Sequence, residues 1–82
     1  MDELKAQIKQ MIVERLFLDV ASSEMTDTAP LMETYGIDSV ALFELVVGLE
    51  EEFDIELDDT DFSVEAFHDV NSIARLVKSK TD

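Results

Sequence analysis

The sequence predicts an all-α protein: a small antiparallel bundle of three main helices and one short helix, with a long loop between the first and second helices. Its 82 residues suffice for one domain, residues 1–82, with a single modest core. Only two glycines and one proline are present, which argues against a turn-rich β architecture. Apolar residues recur at spacings of three and four in three separate segments, as in amphipathic helices.

The first predicted helix runs from about Asp2 to Leu18. Its apolar stripe consists of Leu4, Ile8, Met11, Ile12 and Leu16. The segment that follows, "DVASSEMTDTAPLMETYGI", breaks this period with serine, threonine, proline and glycine. It predicts a long loop of about eighteen residues, and Leu31 and Ile37 are expected to anchor this loop to the core.

The second predicted helix runs from about Ser39 to Phe53. Asp38 precedes it and is a favoured N-cap residue, because its carboxylate accepts hydrogen bonds from the first free N–H groups. The residues that follow the core period are Leu42, Leu45, Val46, Leu49 and Phe53.

A second face of this helix combines apolar and acidic residues at spacings of four, three and four: Val40, Glu44, Val47 and Glu51. One interpretation is a face that recognises a partner protein. The other is that Val40 and Val47 only widen the buried stripe.

The C-terminal part predicts a short helix around Ser63 to His68, with Phe62 and Phe67 as core candidates. A final helix follows, capped by Asp69 or Asn71. Its inward residues are Val70, Ile73, Leu76 and Val77.

The charge distribution points to the class of partner. The formal net charge is −14, and between Leu16 and Ala74 there are sixteen acidic residues and no basic one. A chain without a Lys/Arg patch cannot neutralise the phosphates of a nucleic acid, so that class of partner is excluded. Basic proteins are the expected partners, because opposite charge accelerates their association.

Other functional classes lack the residues they need. Without cysteine the chain has no disulfide, thiolate metal site or cysteine nucleophile. No signal peptide and no run of 18 apolar residues is present, which predicts a cytoplasmic protein without membrane insertion. We also expect a monomer. A catalytic serine needs a base, but His68 is the only histidine and no G-x-S-x-G elbow surrounds Ser39. The chain is therefore not expected to be an enzyme.

The acidic run after the second helix partly matches a calcium-binding loop. Asp54, Glu56, Asp58 and Glu65 occupy loop positions 1, 3, 5 and 12. Position 6, where glycine makes the sharp turn, is Asp59. We therefore expect loose divalent-cation binding to clustered carboxylates rather than a dedicated metal site.

Ser39 allows two interpretations. It lies in the first turn of a helix after a loop, where the helix dipole and free N–H groups stabilise a phosphate attached to its hydroxyl. Alternatively, it only helps Asp38 to start the helix. The spacing of the residues supports both interpretations equally.

The segment "YGIDSVALFELVVGLEEEFDIEL" resembles the modification-site helix of the acyl carrier protein family, most strongly from Gly36 to Leu57. The resemblance implies that Ser39 carries 4′-phosphopantetheine, which a separate transferase adds from coenzyme A. It implies that Asp38 caps the helix and contacts the transferase. Among the partner-recognition residues, the resemblance implies Glu44, Val47, Glu50 and Glu51, and the second face of the helix adds Val40, where the family usually has leucine.

The function implied by this resemblance is to hold acyl groups as thioesters and to deliver them to enzymes of fatty acid, polyketide or related lipid biosynthesis. Those enzymes would have basic docking surfaces. We expect an acyl chain to lie in an apolar space lined by Val46, Leu49, Phe53, Phe62 and Phe67, with Gly48 leaving part of that space open. The alternatives are a carrier of aminoacyl or peptidyl groups, or an acidic cation-binding or inhibitory protein without a prosthetic group.

Overall fold

The computed structural model describes residues 2–58, 61, 63 and 65–81. Over these residues the chain forms four α-helices and one 3₁₀ turn at Ser22–Glu24. The helices are α1 (Asp2–Leu16), α2 (Leu31–Tyr35), α3 (Ser39–Phe53) and α4 (Val70–Thr81). The predicted all-α fold with three main helices and one short helix is confirmed. No helix of the described part is long and apolar enough to cross a bilayer.

Three long helices surround the core. α1 packs against both α3 and α4, and α3 contacts α4. Arg15, near the end of α1, bonds both Glu44 and Glu51 of α3. The side chains with no exposed surface are Ile8, Ile12, Leu31, Leu45, Leu49, Phe67, Val70, Ile73 and Ala74.

The loop between α1 and α3 is anchored to this core, as predicted. Leu31 and Ile37 are both buried, and Met25 is a third buried anchor that the sequence analysis did not identify. Backbone hydrogen bonds add to the anchoring, because Leu31 N–H donates to the His68 carbonyl at 2.8 Å. The loop is therefore anchored to the core at three points along its length.

The end of α1 differs from the prediction. The helix was predicted to reach Leu18, but it ends at Leu16, because Phe17 adopts a left-handed conformation with φ 52°. The Leu18 N–H then donates to the Val13 carbonyl at 3.2 Å, the bond that closes a Schellman motif. Phe17 occupies the position where glycine is usual, and 90% of its surface is exposed.

Phe17→Gly is expected to stabilise the protein by about 0.5–1 kcal/mol, because a left-handed backbone is unfavourable for residues with a Cβ. For a domain of this size that raises the melting temperature by roughly 2–8 °C. Thermal unfolding followed by circular dichroism measures the shift. Phe17→Ala is the control, since it removes the same exposed ring but keeps the strained φ and should give no gain. Equal melting temperatures for the two variants would contradict the explanation.

The short helix is not where the sequence predicted it. Residues 65–67 form a turn that begins at Ser63. The Ser63 Oγ accepts a hydrogen bond from the Ala66 N–H at 3.0 Å, and the Ser63 carbonyl accepts one from the Phe67 N–H at 3.2 Å. The prediction of a helix at Ser63–His68 is therefore wrong over the described residues: only one turn forms, because Asp69 directly after it already caps α4. Phe62 lies outside the described residues. The short helix is α2, which begins directly after Pro30 and ends at Gly36.

Asp69, rather than Asn71, provides the hydrogen bond at the start of α4. Its Oδ1 accepts from Ser72 N–H at 2.8 Å. Short side chains with an acceptor oxygen satisfy a free N–H group of the first helical turn in this way. The first of the two predicted caps is therefore the one observed.

Basic residues at the chain ends pair with acids in the middle of the chain. Lys9 contacts Asp27 at 2.6 Å and Lys5 contacts it at 3.5 Å. The hydrogen bond from Lys9, together with the charges of both lysines, lowers the pKa of Asp27 below its ordinary value. Lys80 contacts Asp61 at 2.8 Å and lowers its pKa in the same way. The few cations therefore connect segments that the acidic charge alone would drive apart.

Candidate functional site

The backbone that leads into α3 is fixed on both sides of a sharp turn. Gly36 ends α2 with φ 66°, a conformation that residues with a Cβ rarely adopt. Ile37 follows and is buried in the core with 3% of its surface exposed. The position of the next two residues, Asp38 and Ser39, is therefore set by a turn and an apolar anchor.

Asp38 caps α3, as predicted. Its Oδ1 accepts from Ala41 N–H at 2.8 Å, and its carbonyl accepts from Leu42 N–H at 2.9 Å. Ser39 is the first residue of the helix and is exposed. Since the side chain of Asp38 makes the capping bond, α3 does not need the Ser39 hydroxyl as its cap.

The surroundings of Ser39 do not resemble a hydrolytic site. His68 is exposed, and its carbonyl is bonded to the start of α2. Two surface grooves of about 300 and 270 Å³ are lined by residues of α1, the 3₁₀ turn, Asp27 and Glu52, and neither includes Ser39. Within the described residues, no three acidic or histidine side chains are grouped closely enough to hold a metal ion. Asp59 of the partial calcium-loop pattern lies outside those residues.

The second face of α3, which is predicted to bind a partner and is called the docking face below, comprises Val40, Glu44, Val47 and Glu51. Val40 is 77% exposed, and Val47 is half-buried but is not among the described side chains that pack against the core cluster. Glu44 and Glu51 are exposed. The prediction that this face lies outside the core therefore agrees with the positions of its side chains.

Phe43 extends the apolar part of this surface, and the sequence analysis did not identify it. It is 62% exposed. Its spacing of three from Val40 and four from Val47 places all three side chains on one side of α3, which is the signal that could have revealed it. Two valines and a phenylalanine near Ser39 form an apolar area in a strongly acidic protein.

Arg15 is the other residue of this region that sequence reasoning missed. Its Nη1 donates to Glu44 Oε1 at 3.0 Å and its Nη2 donates to Glu51 Oε2 at 3.1 Å. The hydrogen bond to Glu44, with a further contribution from Glu51, raises the pKa of the Arg15 guanidinium above its ordinary value. The two glutamates are 29 and 36 residues away in the sequence, so no local pattern reveals the contact.

Gly48 lies in a crowded position, contrary to the prediction. It was expected to leave open space for an acyl chain, but a Cβ built on it would lie 2.7 Å from Arg15 Cδ and Nε and 3.0 Å from Met11 Sδ. Gly48 is therefore the position where α1 side chains cross closely over α3. The space beside it is filled.

The remaining predicted residues lie in two different environments. The Glu50 carboxylate accepts from Leu57 N–H at 3.0 Å and so bonds to the loop after α3. Leu49 and Phe67 are fully buried, while Val46 and Phe53 are half-buried and pack against the core. The four described residues of the predicted acyl space thus belong to the packed interior.

Comparison with known proteins identifies the family. The family model described as "Phosphopantetheine attachment site" matches residues 6–77. The chain belongs to this family. It is 35% identical over 78 residues to the acyl carrier protein of Desulforapulum autotrophicum, a match that covers 95% of this chain and 97% of the relative. It is 33% identical over 79 residues to that of Thermotoga maritima, covering 96% of this chain and 93% of the relative.

Solved structures agree with the fold of this carrier protein. One chain of an engineered Bradyrhizobium japonicum glycine:[carrier protein] ligase complexed with a carrier protein from Agrobacterium tumefaciens and ATP matches with a TM-score of 0.80 and 29% identity. That match covers 93% of this chain and 97% of the other. The acyl carrier protein of Enterococcus faecalis matches with a TM-score of 0.73 and 24% identity, covering 96% and 95% of the two chains.

The family assignment identifies the prosthetic group as covalently attached 4′-phosphopantetheine. An exposed serine at the start of a capped helix suits such a group, because its phosphate would lie at the positive end of the helix dipole. The thiol at the end of the arm holds acyl groups as thioesters, in a protein that has no cysteine of its own. The chain is thus an acyl carrier, and the alternative of an acidic protein without a prosthetic group is not supported.

Proposed function

We propose that Ser39 is the residue that carries the phosphopantetheine arm. The observation that supports this most directly is its position: Ser39 is exposed at the first residue of α3, and the side chain of Asp38 makes the capping bond. Because Asp38 makes the capping bond, Ser39 is not needed to start the helix. This favours Ser39 as the attachment site over Ser39 as a helix-starting residue.

The chain's own contribution to attachment is to present and orient the hydroxyl. Gly36 and Ile37 fix the approach, and Asp38 holds the first turn of α3, whose free N–H groups and positive dipole end would stabilise a phosphate attached to Ser39. A bond forms between Ser39 Oγ and phosphorus, the hydroxyl proton goes to a base of the transferase, and the adenosine bisphosphate half of coenzyme A leaves. The chain supplies the nucleophilic oxygen but not the catalytic groups, so we propose that it is not itself an enzyme.

We expect wild-type protein to gain one phosphopantetheinyl group, and Ser39→Ala to gain none, when each is incubated with coenzyme A and a broad-range phosphopantetheinyl transferase. Intact mass measures the gain, and peptide mapping locates it. Ser23→Ala, which removes another exposed serine, is the matched control and should be modified like wild type. A group on the Ser39→Ala protein would refute the assignment.

The enzymes that load and unload this carrier are proposed to dock on the face formed by Val40, Glu44, Val47 and Glu51. Two carboxylates beside exposed apolar side chains suit a partner surface with basic residues around an apolar patch. A related carrier protein forms a complex with a ligase, which supports enzymes as the class of partner. A monomer acting in the cytoplasm remains our prediction.

The cargo is proposed to be an acyl group of fatty acid, polyketide or related lipid biosynthesis. A second candidate is an amino acid, because the carrier in the glycine ligase complex is similar to this chain over nearly its whole length. Incubating the modified protein with ATP, glycine and such a ligase, and separately with a fatty acid and an acyl-carrier ligase, tests which cargo is accepted. The proposed acyl space around Val46, Leu49, Phe53, Phe62 and Phe67 stays a prediction.

A further inference from the structure

Arg15 introduces a positive charge into the surface proposed for docking. Its guanidinium extends between the carboxylates of Glu44 and Glu51, at 3.0 and 3.1 Å. These residues, with Gly48 between them, are spaced four and three along α3, so they form one row on the helix surface. Two of the acidic charges of the docking face are thus already paired within the molecule.

The geometry of this contact depends on Gly48. The Arg15 side chain crosses α3 where Gly48 has no Cβ, and any Cβ there would lie 2.7 Å from its Cδ and Nε. Arginine suits the position, because its planar fork bonds two acceptors at once and a lysine ammonium lacks that fork. The pair is also accessible: 29% of the Arg15 side chain, 50% of Glu44 and 64% of Glu51 remain exposed. Ion pairs this exposed are weak, so a partner can open them.

We propose that Arg15 is a specificity-determining residue of the docking face, because it occupies the place between Glu44 and Glu51 that a lysine or arginine of a partner enzyme would take. A partner with a basic group at that point must displace Arg15 and associates more slowly. A partner whose basic groups lie outside this row is unaffected. The inference rests on the proposed docking of basic partners near Ser39.

Arg15→Gln tests the proposal by replacing the charged side chain with a shorter, neutral polar one. With a basic phosphopantetheinyl transferase at low salt, kcat/KM for loading should rise about threefold, because the Arg15 charge no longer repels the basic residues of the transferase. The gain should fall towards unity as salt rises, because salt screens exposed charges. A purely structural role for Arg15 would not produce that salt dependence.

Arg75→Gln is the matched control. It removes one positive charge from exposed Arg75 on α4, outside the docking face. A gain for Arg15→Gln well above that for Arg75→Gln supports the proposal, and equal effects refute it because they would reflect only the overall charge. Failure of wild-type Ser39 to accept the group would instead refute the proposed function.

A double-mutant cycle with Glu44→Gln gives an independent measurement. In wild type this substitution should slow loading only slightly, since Arg15 already pairs with Glu44. In the Arg15→Gln background it should slow loading about threefold, because Glu44 is then free for the partner. Equal effects in both backgrounds would overturn the proposal.

Gly48→Ala covers the case in which Arg15→Gln does not fold. The new methyl group displaces the Arg15 side chain, and to a smaller extent the Met11 sulfur, without changing the net charge, and alanine favours the helix. Loading at low salt should again be faster than in wild type. An unchanged or slower rate would count against the proposal.

Discussion

Replacing Phe67 with alanine is expected to remove about 3–5 kcal/mol from the free energy of unfolding. Phe67 has no exposed surface and is the largest of the fully buried side chains. It lies in the turn that Ser63 closes, next to the His68 carbonyl that bonds the start of α2. Its ring therefore anchors the segment before α4 in the core, beside the backbone bond that joins this segment to α2.

That loss is comparable to the whole stability of a domain of this size, which is about 4–12 kcal/mol for 82 residues. Urea unfolding followed by circular dichroism measures it. Phe43→Ala is the matched control: it removes the same side chain from a position that is 62% exposed, and should cost less than about 1 kcal/mol. Equal losses of stability in the two variants would contradict the burial of Phe67 in the core.

Val47→Asp is expected to lower kcat/KM for loading Ser39 about tenfold or more, at every salt concentration, while the protein stays folded. Val47 belongs to the proposed docking face, and apolar contacts at the centre of an interface mainly control dissociation. A carboxylate there has to be desolvated when the partner binds, which opposes docking whatever the salt concentration. A coenzyme A loading assay, with circular dichroism of the same samples, measures both effects.

Val46→Asp is the control, because the two valines are adjacent on α3 and both are half-buried. Of these two valines, only Val46 is among the described residues that pack against the core. The Val46→Asp protein should therefore lose helical signal and stability. If Val47→Asp also unfolds, Val47 belongs to the core and the docking face is misplaced. If it folds and is loaded at the wild-type rate, partners dock elsewhere.

The long helices could be predicted because their signals are local. α3 begins and ends at Ser39 and Phe53 as predicted, since the cap Asp38 and an uninterrupted helical period lie within a short stretch of sequence. Leu31 and Ile37 could likewise be identified as anchors, because they are large apolar residues in a mostly polar segment, although the same reasoning missed Met25. The resemblance around Ser39 indicated the family, and the match over residues 6–77 confirmed it.

Local signals were misleading at the end of α1 and in the short helix. Phe17 lies inside the stretch predicted as the first helix, yet it adopts the left-handed conformation that closes the Schellman motif. The short helix formed after Pro30 rather than at Ser63–His68. A few residues have too little intrinsic preference to decide between a turn and a helix, so contacts with the core decide.

Only the tertiary structure determined how the acidic charge is distributed over the functional surface. The sequence alone shows six cations at its ends and a large acidic excess between them. Folding brings Lys9 to Asp27 and places Arg15 over Gly48, between Glu44 and Glu51. Such contacts depend on the crossing of α1 and α3 and on the absence of one Cβ, neither of which has a periodic signal. The sequence by itself therefore determined the three long helices and the serine at the start of α3, whereas the charge that a partner meets beside that serine depends on how the helices pack.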